Sequence, residues 1–234
     1  MDGSRGSHRP EYSCPVAVLE LAKELVITRK FNVREVTTMN NRFYLLKIRL
    51  LEIEPEIWRR FVVPASITLD RLHDVIQIVM GWTDSHLHEF IIGKKRYTEY
   101  PEYEDDGLEC GRYHLVDLIK QKGRTFRYLY DFGDSWEHEL VIEESRYFNP
   151  ELRTELACFE GERACPPEDV GGVPGYYEFC KALKNPNHEE HESYMEWSGG
   201  NYDSEKFDEN EVNLELMKYL RWSRDRYLHW GVNE

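Results

Sequence analysis

The chain has 234 residues, of which 13% are aromatic and 32% charged, and its formal net charge is -14. That length suffices for one substantial core, and the aromatic content excludes a chain too polar to pack. The charge disfavours duplex DNA and anionic membranes as partners unless a local basic patch overrides the total.

The charge is unevenly placed. Between Glu151 and Glu211 there are 16 acidic and 5 basic side chains, a net of -11, so this stretch is the one suited to cations or basic partners. Five cysteines, Cys14, Cys110, Cys158, Cys165 and Cys180, are odd in number and include no CxxC pair, which predicts reduced, packing thiols. No N-terminal apolar stretch resembles a signal peptide or a membrane span, and the expected location is the cytoplasm.

Along the chain, Val16, Leu19, Ala22 and Val26 recur at three- and four-residue intervals after Pro15, the spacing of a short amphipathic helix. The opening through Pro10 reads as flexible. Residues 1–40 are therefore expected to form an N-terminal extension, and residues 41–234 a single α+β domain. Phe43 to Ile53 is an apolar run carrying Lys47, Arg49 and Glu52, which predicts a strand. Glu54-Pro55 turns the chain, and Ile57 to Val63 predicts the hairpin partner. Thr68 can cap a helix with Asp70 in its first turn and Gly81 at its end. Leu69, Leu72, Ile76 and Val79 share its buried face, opposite Arg71, Asp74 and Gln77. Leu87 to Ile92 predicts the next strand, so the opening order matches that of a β-grasp.

Tyr100 to Gly111, with Glu102, Glu104, Asp105, Asp106 and Glu109, predicts an acidic surface loop. The clearest pattern runs from Arg127 to Glu143. There Tyr128, Tyr130 and Phe132, then Trp136, His138, Leu140 and Ile142, alternate with Arg127, Leu129, Asp131, Glu137, Glu139, Val141 and Glu143 around Gly133-Asp134. Period two on both sides of a tight turn predicts two half-buried strands. Pro166 to Gly175 predicts a loop. Tyr176, Phe179, Cys180 and Leu183 predict a short helix that Asn185-Pro186 stops, and Asp208 with Glu211 predicts a capping box for a last helix through Leu220. The expected fold is α+β: a mixed or antiparallel sheet with helices packed on one face.

Several motifs carry possible chemistry. Asp131-Phe132-Gly133 spells a kinase magnesium motif, but the HRD loop and glycine-rich loop it requires are missing. His86 and His88, one residue apart, would point the same way on a strand. With Asp134 and His138 they could hold zinc or manganese if the two strands are neighbours, with Glu137 or Glu168 as general base. The competing reading makes His138 a satisfied core histidine beside Trp136. Glu168, Asp169, Gly171 and Gly172 form a glycine loop, but two carboxylates would repel a phosphate there. Asp203, Asp208, Glu209 and Glu211 lack the spacing of a calcium loop. Lys218, Arg221, Arg224 and Arg226 with Trp222, Tyr227 and Trp230 form a basic, aromatic segment that could contact nucleic acid.

The segments YLLKIRLLEIEPEIWRRFVVP, HLHEF, YLYDFGDSWEHELVIEE, ACPPEDVGG and WSGGNYDSEKFDENEVN, in this order, resemble the Ri-plasmid open-reading-frame-three family, from about Phe43 to about Leu220. Members are often labelled passenger or resolvase-like proteins of mobile elements. The resemblance implies a compact α+β fold and an association with plasmids or insertion elements. The residues do not support recombination, which would need a nucleophilic serine, supporting arginines and a basic DNA-binding module. The leading expectation is a non-catalytic binding or adaptor protein. Its acidic cleft, built from Asp131, Gly133, Trp136, Asp169, Gly171 and Gly172, would receive a basic protein segment or a cation. A metal-dependent hydrolase using the His/Asp set is the alternative, and nucleic-acid binding a further one.

Overall fold

Why the sheet has two unlike faces is written in its strands. In the computed structural model, which describes residues 42–101, 103 and 106–230 with side chains as far as Trp222, β1 (Phe43–Leu50) buries Tyr44, Leu46, Ile48 and Leu50 and turns Lys47 and Arg49 outward. The predicted helix through Val16 and Val26, Cys14, the acids Glu102, Glu104 and Asp105, and the side chains of Arg224, Arg226, Tyr227 and Trp230 lie outside the described residues. β2 (Trp58–Pro64) returns antiparallel to β1. The remaining strands are β3 (His88–Ile92), β4 (Lys95–Thr98), β5 (Leu108–Glu109), β6 (Thr125–Tyr130), β7 (Trp136–Tyr147) and β8 (Ala157–Glu162). They form one eight-stranded sheet in the order β5-β4-β3-β6-β7-β1-β2-β8, antiparallel at every pairing except β4 with β5. This is the mixed-sheet α+β architecture expected.

The predicted β6–β7 pair is present in register, with Tyr130 opposite Trp136 and Tyr128 opposite His138. Phe132, in the connecting turn, is exposed and leaves the alternation. The strand-hairpin-helix-strand opening is also present, with β3 joined to β4 and β6, so that β6 and β7 lie between it and β1. The outward face is laced by the cross-strand ion pairs Arg49–Glu139, Arg60–Glu143, Arg127–Glu137 and Arg96–Glu89, and Lys47 on β1 pairs with Glu56 in the turn before β2. An antiparallel sheet with one solvated face takes this form, and opposite charges across strands stabilise it modestly.

Helix α1 (Leu69–Met80) covers the inner face with Leu69, Leu72, Val75, Ile76, Val79 and Met80, and Gly81 closes it at φ 99°. Thr68 stands at its N-cap in extended conformation without a side-chain cap bond. Gln77 does not lie on the outer face as its spacing suggested: it is buried, because its amide donates to Tyr128 Oη at 2.9 Å. The other helices are α2 (Leu115–Leu118), α3 (Gly172–Lys184), α4 (His191–Trp197) and α5 (Glu209–Trp230). α3 starts four residues before the predicted apolar stripe. Asp208 caps α5 by accepting from the Asn210 and Glu211 amides at 2.9 and 3.3 Å, while the Glu211 carboxylate takes Lys206 instead of completing the box.

One buried cation ties these layers together. Arg59 on β2 donates to the carbonyls of Val79, Trp58, Glu162 and Arg163 at 2.7–2.9 Å and lies 4.3 Å above the Phe207 ring. The negative C-terminal end of α1 thus supplies part of its counter-charge. Cys110, Cys158, Cys165 and Cys180 are free thiols. No helix among the described residues is long and apolar enough to cross a membrane.

Candidate functional site

Three segments meet at the end of the sheet where β3 begins, β6 ends and β7 begins: Gly81 to His88, Tyr130 to Trp136, and Cys165 to Gly172. Trp82 Nε1 donates to Pro166 O at 2.9 Å, Tyr130 Oη donates to Glu168 Oε1 at 2.5 Å, and the Ser85 amide donates to Tyr130 Oη at 3.0 Å. Thr83 holds the other Glu168 oxygen through its hydroxyl. The Gly171 amide donates to Asp134 Oδ2 at 3.0 Å. Asp131 Oδ1 accepts the Gly133 amide at 2.9 Å, and the Asp131 amide donates to Leu87 O at 2.9 Å. Four non-glycine residues here, Asp84, Asp131, Ser135 and Asp169, have left-handed φ between 56° and 60°. Such conformations cost free energy and persist where surrounding contacts impose them.

Beneath the loops lies a closed hydrogen-bond ring that the sequence did not reveal. The Asp84 amide donates to Gln77 Oε1 at 3.0 Å, Gln77 Nε2 donates to Tyr128 Oη, and Tyr128 Oη and His73 Nδ1 are 2.7 Å apart. His73 Nε2 faces Asp84 Oδ1 at 2.7 Å. Only one proton arrangement satisfies every member: Tyr128 donates to Nδ1, and Nε2–H donates to Asp84. His88 stacks on His73 with ring centroids 3.5 Å apart and planes 6° apart. His138 Nδ1 donates to Tyr128 O at 3.3 Å and its ring meets Trp82 edge-on. Burial pushes His73 down to about 4 and His88 and His138 down to about 3, so all three are neutral at pH 7. Among the described residues, the buried side-chain atoms without a hydrogen-bond partner are His86 Nε2, both His88 nitrogens, His138 Nε2, Trp136 Nε1 and Arg163 Nε. All but the last belong to this end of the sheet. One sequence signal could have found it: His73 follows Leu69 by four positions, which puts it on the buried face of α1.

The proposed set His86, His88, Asp134 and His138 does not form one cluster. His86 precedes β3 by two residues, so strand alternation does not align it with His88. His88 turns into the core against His73, Asp134 is held by Gly171, and His138 lies across Tyr128 from His88. Among the described residues, close groupings of possible ligand atoms are His86 with Asp131 and Asp169, and His73 with Asp74 and Asp84. Glu137 is 61% exposed on the open face, paired with Arg127, because period two sends it opposite to Trp136 and His138. Glu168 is at the site. Asp131, Gly133, Asp169, Gly171 and Gly172 are neighbours, as the cleft reading required, while Trp136 is buried under them beside Trp82. In the basic segment, Lys218 is paired with Glu215 on its own helix.

Beside Glu168 opens a cleft of about 380 Å³ lined by Gly81, Trp82, Thr83, Pro166, Trp197 and Tyr202 among others. Burial raises the Glu168 carboxyl, but hydrogen bonds from Thr83 and Tyr130 outweigh it and hold the group below the usual carboxylate range. The lip of the cleft is therefore a fixed negative charge next to aromatic walls.

Fold and site together describe a one-sheet α+β protein whose loops gather histidines and carboxylates at one sheet end. The family model described as plasmid pRiA4b ORF-3-like protein matches residues 42–211, and the chain belongs to that family. It is 45% identical over 184 residues to the uncharacterized protein y4hQ of Sinorhizobium fredii, a match covering 76% of this chain and 93% of the relative. The crystal structure of MM3350 from Methanosarcina mazei Go1, a protein of unknown function, superposes with a TM-score of 0.66 at 35% identity, covering 74% of this chain and 98% of that one.

Proposed function

We propose that this protein is a non-catalytic binding protein that takes a cationic side chain of a basic protein segment into the cleft beside Glu168. The observation that carries the reading is the combination of the Trp82, Trp197 and Tyr202 walls with the anchored Glu168 carboxylate at the mouth. Aromatic faces and a nearby anion both attract ammonium and guanidinium groups, and the volume suits one long side chain. The chain's formal net charge of -14 adds long-range steering of a cationic partner. The geometry favours binding over hydrolysis. Glu168 accepts hydrogen bonds on both oxygens and its carboxyl is held below the usual carboxylate range, which makes it a poor general base at neutral pH.

Fluorescence anisotropy with labelled hexapeptides that differ only in one central Arg, Lys, Gln or Glu tests this. Arg and Lys peptides are expected to bind and to weaken as salt rises. Glu168→Gln and Trp197→Ala are each expected to lower affinity by about ten-fold, in the range of a partly desolvated cation contact. Trp197 is 48% exposed and meets the buried Phe179 ring edge-on at 5.6 Å, so an unchanged thermal melt of the variant separates lost binding from lost packing. Equal binding of the Arg and Glu peptides, or full affinity in both variants, rejects the reading.

A further inference from the structure

His86, Asp131 and Asp169 come from three different loops, and one ligand atom of each lies within 4.8 Å of the others. His86 Nε2 is 3.3 Å from Asp169 Oδ1 and 3.7 Å from Asp131 Oδ2. An imidazole N–H donating to a carboxylate closes to about 2.8 Å and aligns with the acceptor. Here Nε2 is shielded from solvent and makes no hydrogen bond to either oxygen. The 3.3 Å separation is instead that of adjacent vertices around an ion, and the 3.7 Å one lies a few tenths of an ångström beyond it, a gap that a bound ion would draw in. With ligands about 2.0–2.2 Å from a first-row divalent metal, neighbouring donor atoms stand roughly 3.0–3.5 Å apart.

The supporting contacts agree. The other Asp131 oxygen, Oδ1, is occupied by the Gly133 and Asp134 amides at 2.9 and 3.4 Å, which leaves Oδ2 turned to His86. The His86 ring rests edge-on against Tyr130 at 5.8 Å. Contacts of this kind orient metal ligands without touching the ion. Asp169 is 73% exposed, so further coordination positions open to solvent.

We infer that His86 Nε2, Asp131 Oδ2 and Asp169 Oδ1 bind one divalent transition-metal ion, zinc or manganese, per chain. One imidazole with two carboxylates suits those ions better than calcium, which takes oxygen ligands alone. The second grouping, His73 with Asp74 and Asp84, is excluded by its own bonds. Both His73 nitrogens are taken by Tyr128 and Asp84, and Asp74 accepts the Tyr219 hydroxyl at 2.8 Å. The site is independent of the basic-segment reading, because its ligands do not line that cleft.

The full chain, stripped with chelator and dialysed against zinc or manganese chloride, is assayed for bound metal by elemental analysis and for affinity by calorimetry. One ion per chain is expected. His86→Ala and Asp169→Asn are each expected to weaken binding at least about ten-fold, and Asp84→Asn to leave it unchanged. Asparagine tolerates the left-handed backbone of Asp169, φ 60°, and unchanged thermal melts of the apo variants separate ligand loss from misfolding. Substoichiometric metal in the parent chain, or parental affinity in both ligand variants, overturns the assignment. Trp197→Ala retains metal binding if the site is right, whatever it does to peptides.

Discussion

Acidification from pH 7 to pH 4.5 is expected to remove on the order of 4 kcal/mol of folding stability, a large share of the 5–15 kcal/mol typical of a domain. The cause is the buried histidine group around Tyr128. In the unfolded chain His73, His88 and His138 gain protons near pH 6.5, the ordinary imidazole value. Folded, burial holds them down to about 4, about 3 and about 3, with the His73 ring adding to the effect on His88. Between those limits the unfolded chain carries about three more protons, so stability falls as the pH falls. Asp74 acts oppositely. Burial raises its carboxyl to about 6, so the folded chain holds one extra proton between about pH 6 and 4, and Asp84, also raised by burial, adds to that offset. The balance is about two protons, or roughly 2.7 kcal/mol per pH unit near pH 5. Urea titrations followed by circular dichroism at several pH values, with chelator present, read this slope directly. His138→Leu is expected to lower it by about one proton. A urea midpoint that does not move between pH 7 and pH 5 would contradict the neutral, buried state of these rings.

Gly172→Ala is expected to destabilise the chain by roughly 2–4 kcal/mol and to uncouple the loop from the hairpin turn. Gly172 has φ 67°, and a Cβ placed there would stand 2.7 Å from Asp134 O, a backbone atom that cannot rotate away. Alanine therefore meets both a left-handed penalty and a main-chain clash. Relief requires the Asp169 to Gly172 segment to lift from the turn. That movement breaks the bond from the Gly171 amide to Asp134 and carries Asp169 away from His86. Gly123→Ala isolates the first effect, since Gly123 has φ 78° with nothing within 4 Å of its added Cβ, and it is expected to cost about 1 kcal/mol. Denaturant midpoints of the two variants should differ accordingly, and metal affinity should fall only for Gly172→Ala. Equal destabilisation by the two would show that the close approach to Asp134 is not a constraint.

Much of the fold is legible in the residue order. Alternation along Tyr44 to Leu50 and Trp136 to Ile142 sets which side chains face inward, because successive residues of a strand point to opposite faces. The same rule places Arg49, Arg60, Glu139 and Glu143 on the charged outer face. Leu69, Leu72, Ile76 and Val79 set the face of α1, and Gly81 its end. β4 and β5, with four and two residues, are too short for a period to show, and β8 (ACFEGE) carries too few apolar residues to mark one, so their pairing depends on partners elsewhere in the chain.

The candidate site was legible only in part. The sequence by itself determined that the Tyr130 to Trp136 turn, the residues before β3 and the Glu168 to Gly172 loop are rich in histidine, carboxylate and glycine. Tertiary structure alone decided that His86 meets Asp131 and Asp169 while His88 turns away against His73. The reason is that His86 lies outside the strand, where period two no longer governs direction. Its neighbours are fixed instead by close contact between Gly172 and Asp134, residues 38 apart that no local pattern connects.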